Sequence, residues 1–216
     1  MTEPDDLTTT SYAILGQLAL RSWSTYELAQ EMRRNVHYFW PRAESRIYAE
    51  VKRLAARGLV RAERGFVGRR PRTTYAVTDA GRAAFVAWLA TPPKPYALEC
   101  EPLLRVFFGL FGDSTELAAA VDRARAQAAE LLRMGDGIAR EYAAGRAPFQ
   151  DHLEVRGFVF DFLYGFARMV HDWADRTGAE LAARHDLPPA ARAERALAVI
   201  ERSLAASSKP DPGKDA

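Results

Sequence analysis

Residues 33–72 hold twelve Arg or Lys, among them Arg42, Arg46, Lys52, Arg53, Arg69, Arg70 and Arg72, against three acids, Glu44, Glu50 and Glu63. Cations at this density bind polyanions, and guanidinium groups present paired donors that match phosphate oxygens and guanine edges. A strand-like run and a helix start follow at once, so the charge is mounted on a folded module. Nucleic acid is the commonest partner of such a unit, and an ordinary solvated basic face is the plainer alternative. The net charge of +2 hides the asymmetry, because residues 1–90 carry 14 basic and 9 acidic groups whereas residues 91–216 carry 16 and 19.

Catalytic patterns are missing. His37, His152, His171 and His185 are scattered, without the spacing of an HExxH helix or a zinc site. His171-Asp172 has the types of a general base and its orienter, but such a pair is more often surface or interface polarity. Gly65-Phe66-Val67-Gly68 lacks the Lys and Ser or Thr of a phosphate-binding loop. No catalytic residue, metal or cofactor is therefore expected. The lone cysteine, Cys100, excludes an intrachain disulfide framework and fits a reducing cytoplasm. The start MTEPDD is acidic and polar, unlike a secretory signal. The most apolar stretch, 155–170, is broken by Arg156, Asp161 and Arg168, so no membrane partner is expected. A chain of 216 residues with 48% hydrophobic content can build two modest domains.

The elements that position the basic groups follow from periodicity and caps. Ile14, Leu15 and Leu18 predict a first helix over 9–20. Ser24-Thr25-Tyr26-Glu27 is a capping box that opens a second, with Leu28, Ala29 and Met32 inward, fading near Asn35. Pro41 suits the first position of a third helix over 41–57, which Gly58 ends in a left-handed turn. Its stripe of Ile47, Val51 and Leu54 must face the core. That puts Arg42, Ser45, Ala49, Lys52 and Ala56 outside, with Tyr48 on one edge and Arg46 and Arg53 on the other. The aromatic segment 35–41 is expected to pack on the following hairpin, with stacking on bases the other reading, and Glu44 to need Arg46 or Arg42 as a neutralising neighbour. Residues 59–64 and 73–78 read as strands joined by a mobile, arginine-rich tip over 65–72. A fourth helix begins after Thr78 and runs to Ala90, with Ala84, Phe85 and Trp88 inward. Thr91-Pro92-Pro93-Lys94-Pro95 is a stiff linker.

Beyond it the helical period persists. Leu103, Leu104, Phe107, Phe108 and Phe111 form an apolar helix ended by Gly112. Asp113 caps a long helix whose seam runs from Leu117 to Leu132 and which Gly135 and Gly137 weaken. Residues 153–181 carry Phe158, Phe162, Tyr164, Phe166 and Trp173 on nearly every side, ending near Gly178; burying them all calls for a second subunit. A last amphipathic helix spans 185–204.

Helix, helix, helix, hairpin, helix with these residues resembles a winged helix-turn-helix and, more narrowly, the PadR family of transcriptional regulators. The resemblance rests on Tyr12-Ala13-Ile14-Leu15-Gly16, Ser24-Thr25-Tyr26-Glu27-Leu28, Ile47-Tyr48, Gly58-Leu59-Val60 and Thr74-Tyr75-Ala76-Val77-Thr78-Asp79-Ala80-Gly81. It reaches the second half more loosely, through Leu104-Arg105-Val106-Phe107-Phe108. It implies a mainly α fold with a small β-hairpin wing: DNA-binding domain 1–90, proline-rich linker 91–98, helical dimerisation domain 99–206 and disordered tail 207–216. It further implies a homodimeric, sequence-specific regulator, expected to be a repressor, that binds a double-stranded DNA operator. Tyr26 and Tyr48 match family tyrosines that lie at the DNA. Ser45, Tyr48, Lys52 and Arg42 would read bases, and Arg46, Arg53, Arg69, Arg70 and Arg72 would hold phosphates. In such regulators the dimer region can enclose an aromatic pocket, for which Phe107, Phe111, Phe158, Phe162 and Trp173 are the candidates; plain dimer core is the other reading of those rings. The alternative for the whole chain is a helical ligand-binding or protein-docking module that does not bind DNA.

Overall fold

Thr8 opens the first helix, α1 (Thr9–Leu20), by accepting from the Ser11 N–H at 3.2 Å while Ser11 Oγ accepts from the Thr8 N–H at 2.8 Å. Ser24 and Glu27 do the same for α2 (Thr25–Arg34), with Glu27 Oε2 2.9 Å from the Ser24 N–H, so each satisfies a donor that the helix start would leave without a partner. These elements belong to a computed structural model of the chain that describes residues 7–68, 70–184 and 187–207. The chain forms two compact units, Met1–Ala97 and Leu98–Ala216.

In the first unit α3 (Glu44–Ala56) lays Ile47, Val51 and Leu54 against α1 and α2, where Ile14, Leu15, Leu18, Leu28, Ala29 and Met32 are also buried. Each of these Ile, Leu, Val and Met side chains withdrawn from water contributes about 1.5–3 kcal/mol before chain entropy is subtracted. The helix ends as its sequence requires: Gly58 takes φ 71° and the Leu59 N–H donates to Leu54 O at 3.0 Å, the αL stop that glycine tolerates best. Strands β1 (Val60–Val67) and β2 (Arg70–Val77) pair antiparallel from Val60↔Val77 out to Val67↔Arg70. Trp23 adds a bridge to Tyr75, its N–H donating at 3.1 Å and its carbonyl accepting at 2.7 Å, which anchors the hairpin to the segment between α1 and α2.

The hairpin then feeds α4 (Asp79–Leu89). Thr78 Oγ1 accepts from the Gly81 N–H at 3.1 Å and donates to Gly58 O at 2.8 Å. A Cβ at Gly81 would lie 2.0 Å from Leu59 O, so only glycine fits where α4 crosses the end of α3. Ala84, Phe85 and Trp88 are half-buried; Trp88 stacks on Tyr12 at 4.8 Å and Phe85 meets Gly16.

Three expectations for this unit are corrected. Pro41 is not the first helical residue: Ala43 is still extended (ψ 143°), and α3 starts at Glu44, because Trp40 is drawn to α1, its Nε1–H donating to Thr10 Oγ1 at 3.2 Å. The 35–41 segment holds a short 3-10 turn (Val36–Tyr38) and, among the described residues, does not pack as an aromatic cluster on the hairpin; Tyr38 and Phe39 are exposed. The strands run further than expected, through Gly65 and Phe66, so Arg70 and Arg72 lie in β2 and the connection contracts to Gly68, at φ 60°, and Arg69, which lies outside the described residues.

The second unit contains α5 (Glu101–Phe107), α6 (Ser114–Ala143), α7 (Leu153–Ala183) and α8 (Pro189–Ser207). Asp113 caps α6, its Oδ1 accepting from Thr115 N–H at 2.7 Å and Glu116 N–H at 2.8 Å. α6 and α7 run antiparallel, shown by Arg125 reaching Asp175 at 3.5 Å near one end and Arg156 reaching Tyr142 at 3.3 Å near the other. Their seam is small-residue, with Ala120, Ala124, Ala128, Ala167 and Ala174 buried. The glycines expected to weaken α6 do not end it. At Gly135 the missing side chain admits the Tyr164 ring, which a Cβ would meet at 2.7 Å, and the Tyr164 hydroxyl donates to Asp136 at 2.8 Å. Likewise α7 passes Gly178 to Ala183, whereas α5 stops at Phe107 short of Phe111. α8 is tied to α7 by Arg195 and Arg202, each 3.0 Å from Glu180, and these hydrogen bonds hold that carboxyl below its ordinary range. Ser207 closes α8; His185 and 208–216, most of the expected tail, lie outside the described residues.

Candidate nucleic-acid interface

The outward side of α3 exposes Ser45, Arg46, Ala49, Lys52 and Ala56. Its centre is a methyl group flanked by a hydroxyl and a lysine, so backbone and groove floor can approach closely while longer side chains reach past. Tyr26, near the start of α2, is 63% exposed, and Tyr48 on the near edge of α3 is half-buried. Partial burial and the adjacent Glu44 carboxylate push the Tyr48 phenol above its usual value, with Tyr26 near enough to add to the effect. The Tyr48 hydroxyl donates to Glu44 Oε2 at 3.4 Å.

Several expected cations are already engaged. Arg42 precedes α3 rather than riding on it; its guanidinium lies 4.3 Å from the Trp40 ring centroid and its Nε–H is 3.4 Å from Thr10 Oγ1. Arg53 donates to Glu50 at 2.7 and 2.9 Å and to Ser11 Oγ at 3.1 Å, and Ser11 donates in turn to Glu50. Burial resists ionisation of Glu50, but the Arg53 and Ser11 hydrogen bonds outweigh it and hold the carboxyl low. Arg72 pairs with Glu27, the capping-box acid, where the Ser24 hydrogen bonds and this guanidinium outweigh desolvation and lower the acid's pKa. Arg53 and Arg72 therefore brace the module. Arg70 has its backbone in β2 beside the Gly68 turn.

The partner of Glu44 is also not the one expected. Arg33, in the last turn of α2, places Nη1 3.3 Å from Glu44 Oε1. Sequence spacing gave no signal for it, because the pairing depends on the path of 35–43 between the helices. On the hairpin Arg64 and Phe66 are exposed as well.

The aromatic candidates of the second unit do not converge on an enclosed cavity. Phe107, Phe111, Phe158 and Phe162 are 75, 82, 72 and 69% exposed, and Trp173 is half-buried on α7. His171 Nδ1 is nearer Asp175, at 3.4 Å, than Asp172, at 3.8 Å. Among the described residues no group of three or more His, Cys, Asp or Glu is arranged to hold a metal ion, and no helix is long and apolar enough to cross a membrane.

Three helices, a two-stranded hairpin and a fourth helix, with the outer face of the third left bare, define a winged helix-turn-helix protein. The family model of the Transcriptional regulator PadR-like family matches residues 14–87, within the first unit. A probable transcriptional regulator of Mycobacterium tuberculosis is 35% identical over 85 residues, 39% of this chain and 45% of that protein. The negative transcriptional regulator PadR of Bacillus subtilis is 29% identical over 99 residues, 45% of this chain and 54% of that protein. The chain thus spans about half the length of the curated relatives it matches. The fold extends further than the sequence likeness: the crystal structure of Bacillus subtilis PadR in complex with operator DNA superposes with a TM-score of 0.68 at 20% identity, covering 81% of this chain and 99% of that one. The same protein in complex with p-coumaric acid gives a TM-score of 0.61 at 20% identity, over 82% of this chain and 98% of that one.

Proposed function

We propose that this chain is a homodimeric, sequence-specific DNA-binding transcriptional regulator of the cytoplasm that acts as a repressor, not an enzyme. The carrying observation is the outer face of α3, where Ser45, Arg46, Ala49 and Lys52 are exposed while Ile47, Val51 and Leu54 are buried. Ser45, Tyr48 and Lys52 read base edges; Arg46, with Tyr26 and the hairpin's Arg69 and Arg70, holds phosphates. Two recognition helices in a dimer enter successive major grooves about 34 Å apart. Domain 1–90 binds the operator, the proline-rich 91–98 spaces the two functions, and 99–206 pairs the subunits. A small aromatic effector fits the exposed rings Phe107, Phe111, Phe158 and Phe162 once a second copy covers them, with Trp173 as a further candidate; a complex of Bacillus subtilis PadR with p-coumaric acid supports that class of ligand.

A salt series of anisotropy titrations on duplexes from upstream of the protein's own gene tests this reading. Wild-type affinity falls steeply with salt, and Arg46→Ala weakens specific and scrambled duplexes alike while reducing the log–log slope by about 0.9 per half-site. A wild-type protein indifferent to DNA at low salt overturns it.

A further inference from the structure

The first residue of α3, Glu44, is an acid on a face otherwise built from cations and small residues, and both of its oxygens are engaged. The two Glu44 oxygens are divided: Oε1 lies 3.3 Å from Arg33 Nη1 and Oε2 receives the Tyr48 hydroxyl at 3.4 Å. A carboxylate only accepts hydrogen bonds, and a phenol that spends its proton on that carboxylate turns only lone pairs outward. Burial and the carboxylate both hold the Tyr48 proton in place. Glu44 and Tyr48 thus present an acceptor-only patch. Arg33 offsets the charge, so the duplex as a whole is not repelled, yet leaves Oε2 facing the tyrosine.

Such a patch gains nothing from phosphate oxygens, which are acceptors too. In the major groove it is likewise repelled by the keto oxygens of guanine and thymine, whereas cytosine N4 and adenine N6 carry the donors it needs. We propose that Glu44, acting with Tyr48, selects an exocyclic amino group at one base pair of each half-site. This rests on the DNA-reading function proposed above. A purely structural role is the competing account, since an acid in the first turn also offsets the helix dipole; that role predicts a stability change without a change in base preference.

An amino-group scan separates the two. The full-length protein first selects its preferred duplex from a randomised library. Each adenine and cytosine of that duplex is then replaced in turn by an analogue lacking the exocyclic amino group. Binding is measured for wild type, Glu44→Ala and Tyr48→Phe, with thermal unfolding of each as a check. The expected result is one position per half-site at which wild type loses about fivefold or more in affinity and Glu44→Ala loses no more than it has already lost, with Tyr48→Phe reduced at that same position. If no amino deletion distinguishes wild type from Glu44→Ala, the inference is overturned while DNA reading stands. If wild type selects no duplex, the DNA-reading function falls and the inference falls with it.

Discussion

At the scale of single residues, the module spends its acids on holding its cations. Glu50 binds Arg53 and Ser11 where α3 meets the start of α1, and Glu27 binds Arg72 where β2 meets α2. Because the folded Glu50 pKa is depressed, its contribution is fully present above the unfolded value and is lost as pH falls through the lower, folded one. Stability of the first unit is therefore expected to decline below the ordinary carboxylate range. Glu50→Gln is expected to flatten that acid limb and to destabilise at neutral pH by about 1–3 kcal/mol, since Arg53 loses its charged partner. Thermal midpoints between neutral and acid pH check this; parallel curves for wild type and Glu50→Gln would exclude the linkage.

At the scale of elements, glycines mark where a neighbouring element must come close. Gly135→Val places a branched side chain where the Tyr164 ring sits and is expected to cost about 1–3 kcal/mol in the helical unit by forcing α6 and α7 apart. Denaturant titration followed by near-ultraviolet circular dichroism would register it. Such packing explains what was legible in advance. The periodicity of Ile14, Leu15 and Leu18, the Ser24–Glu27 capping box, the stripe of Ile47, Val51 and Leu54 and the αL stop at Gly58 are local, so α1, α2 and the end of α3 follow from neighbouring residues alone. The start of α3 was not legible, because Trp40 finds Thr10 thirty residues away. Nor was the fate of Arg53 and Arg72, whose charge reads as available until Glu50 and Glu27 are seen beside them. Gly135 and Gly178 misled for the same reason: glycine weakens an isolated helix, but a close neighbour or a long run of good helix formers overrides it.

At the scale of the whole molecule, the second unit exposes more large apolar surface than a solitary helical body ordinarily keeps, with Phe158 and Phe162 one turn apart on α7 and Leu197, Ile200 and Leu204 along α8. The proposed dimer would bury such faces, and it is the assembly that a two-fold operator would require. Phe158→Glu with Phe162→Glu is expected to shift sedimentation from dimer to monomer at micromolar concentration and to weaken operator binding, while leaving the first unit folded.

The proposed groove-facing role of the outer side of α3 is tested most directly by one substitution at its centre. Ala49 is exposed on the outer side of α3, so Ala49→Glu should leave thermal unfolding nearly unchanged. In an anisotropy titration on the selected duplex it should lower affinity by about tenfold or more, roughly 1.4 kcal/mol, by putting bulk and negative charge where backbone and bases must come close. Equal binding by the wild type and the folded Ala49→Glu protein would contradict the assignment of this face to DNA.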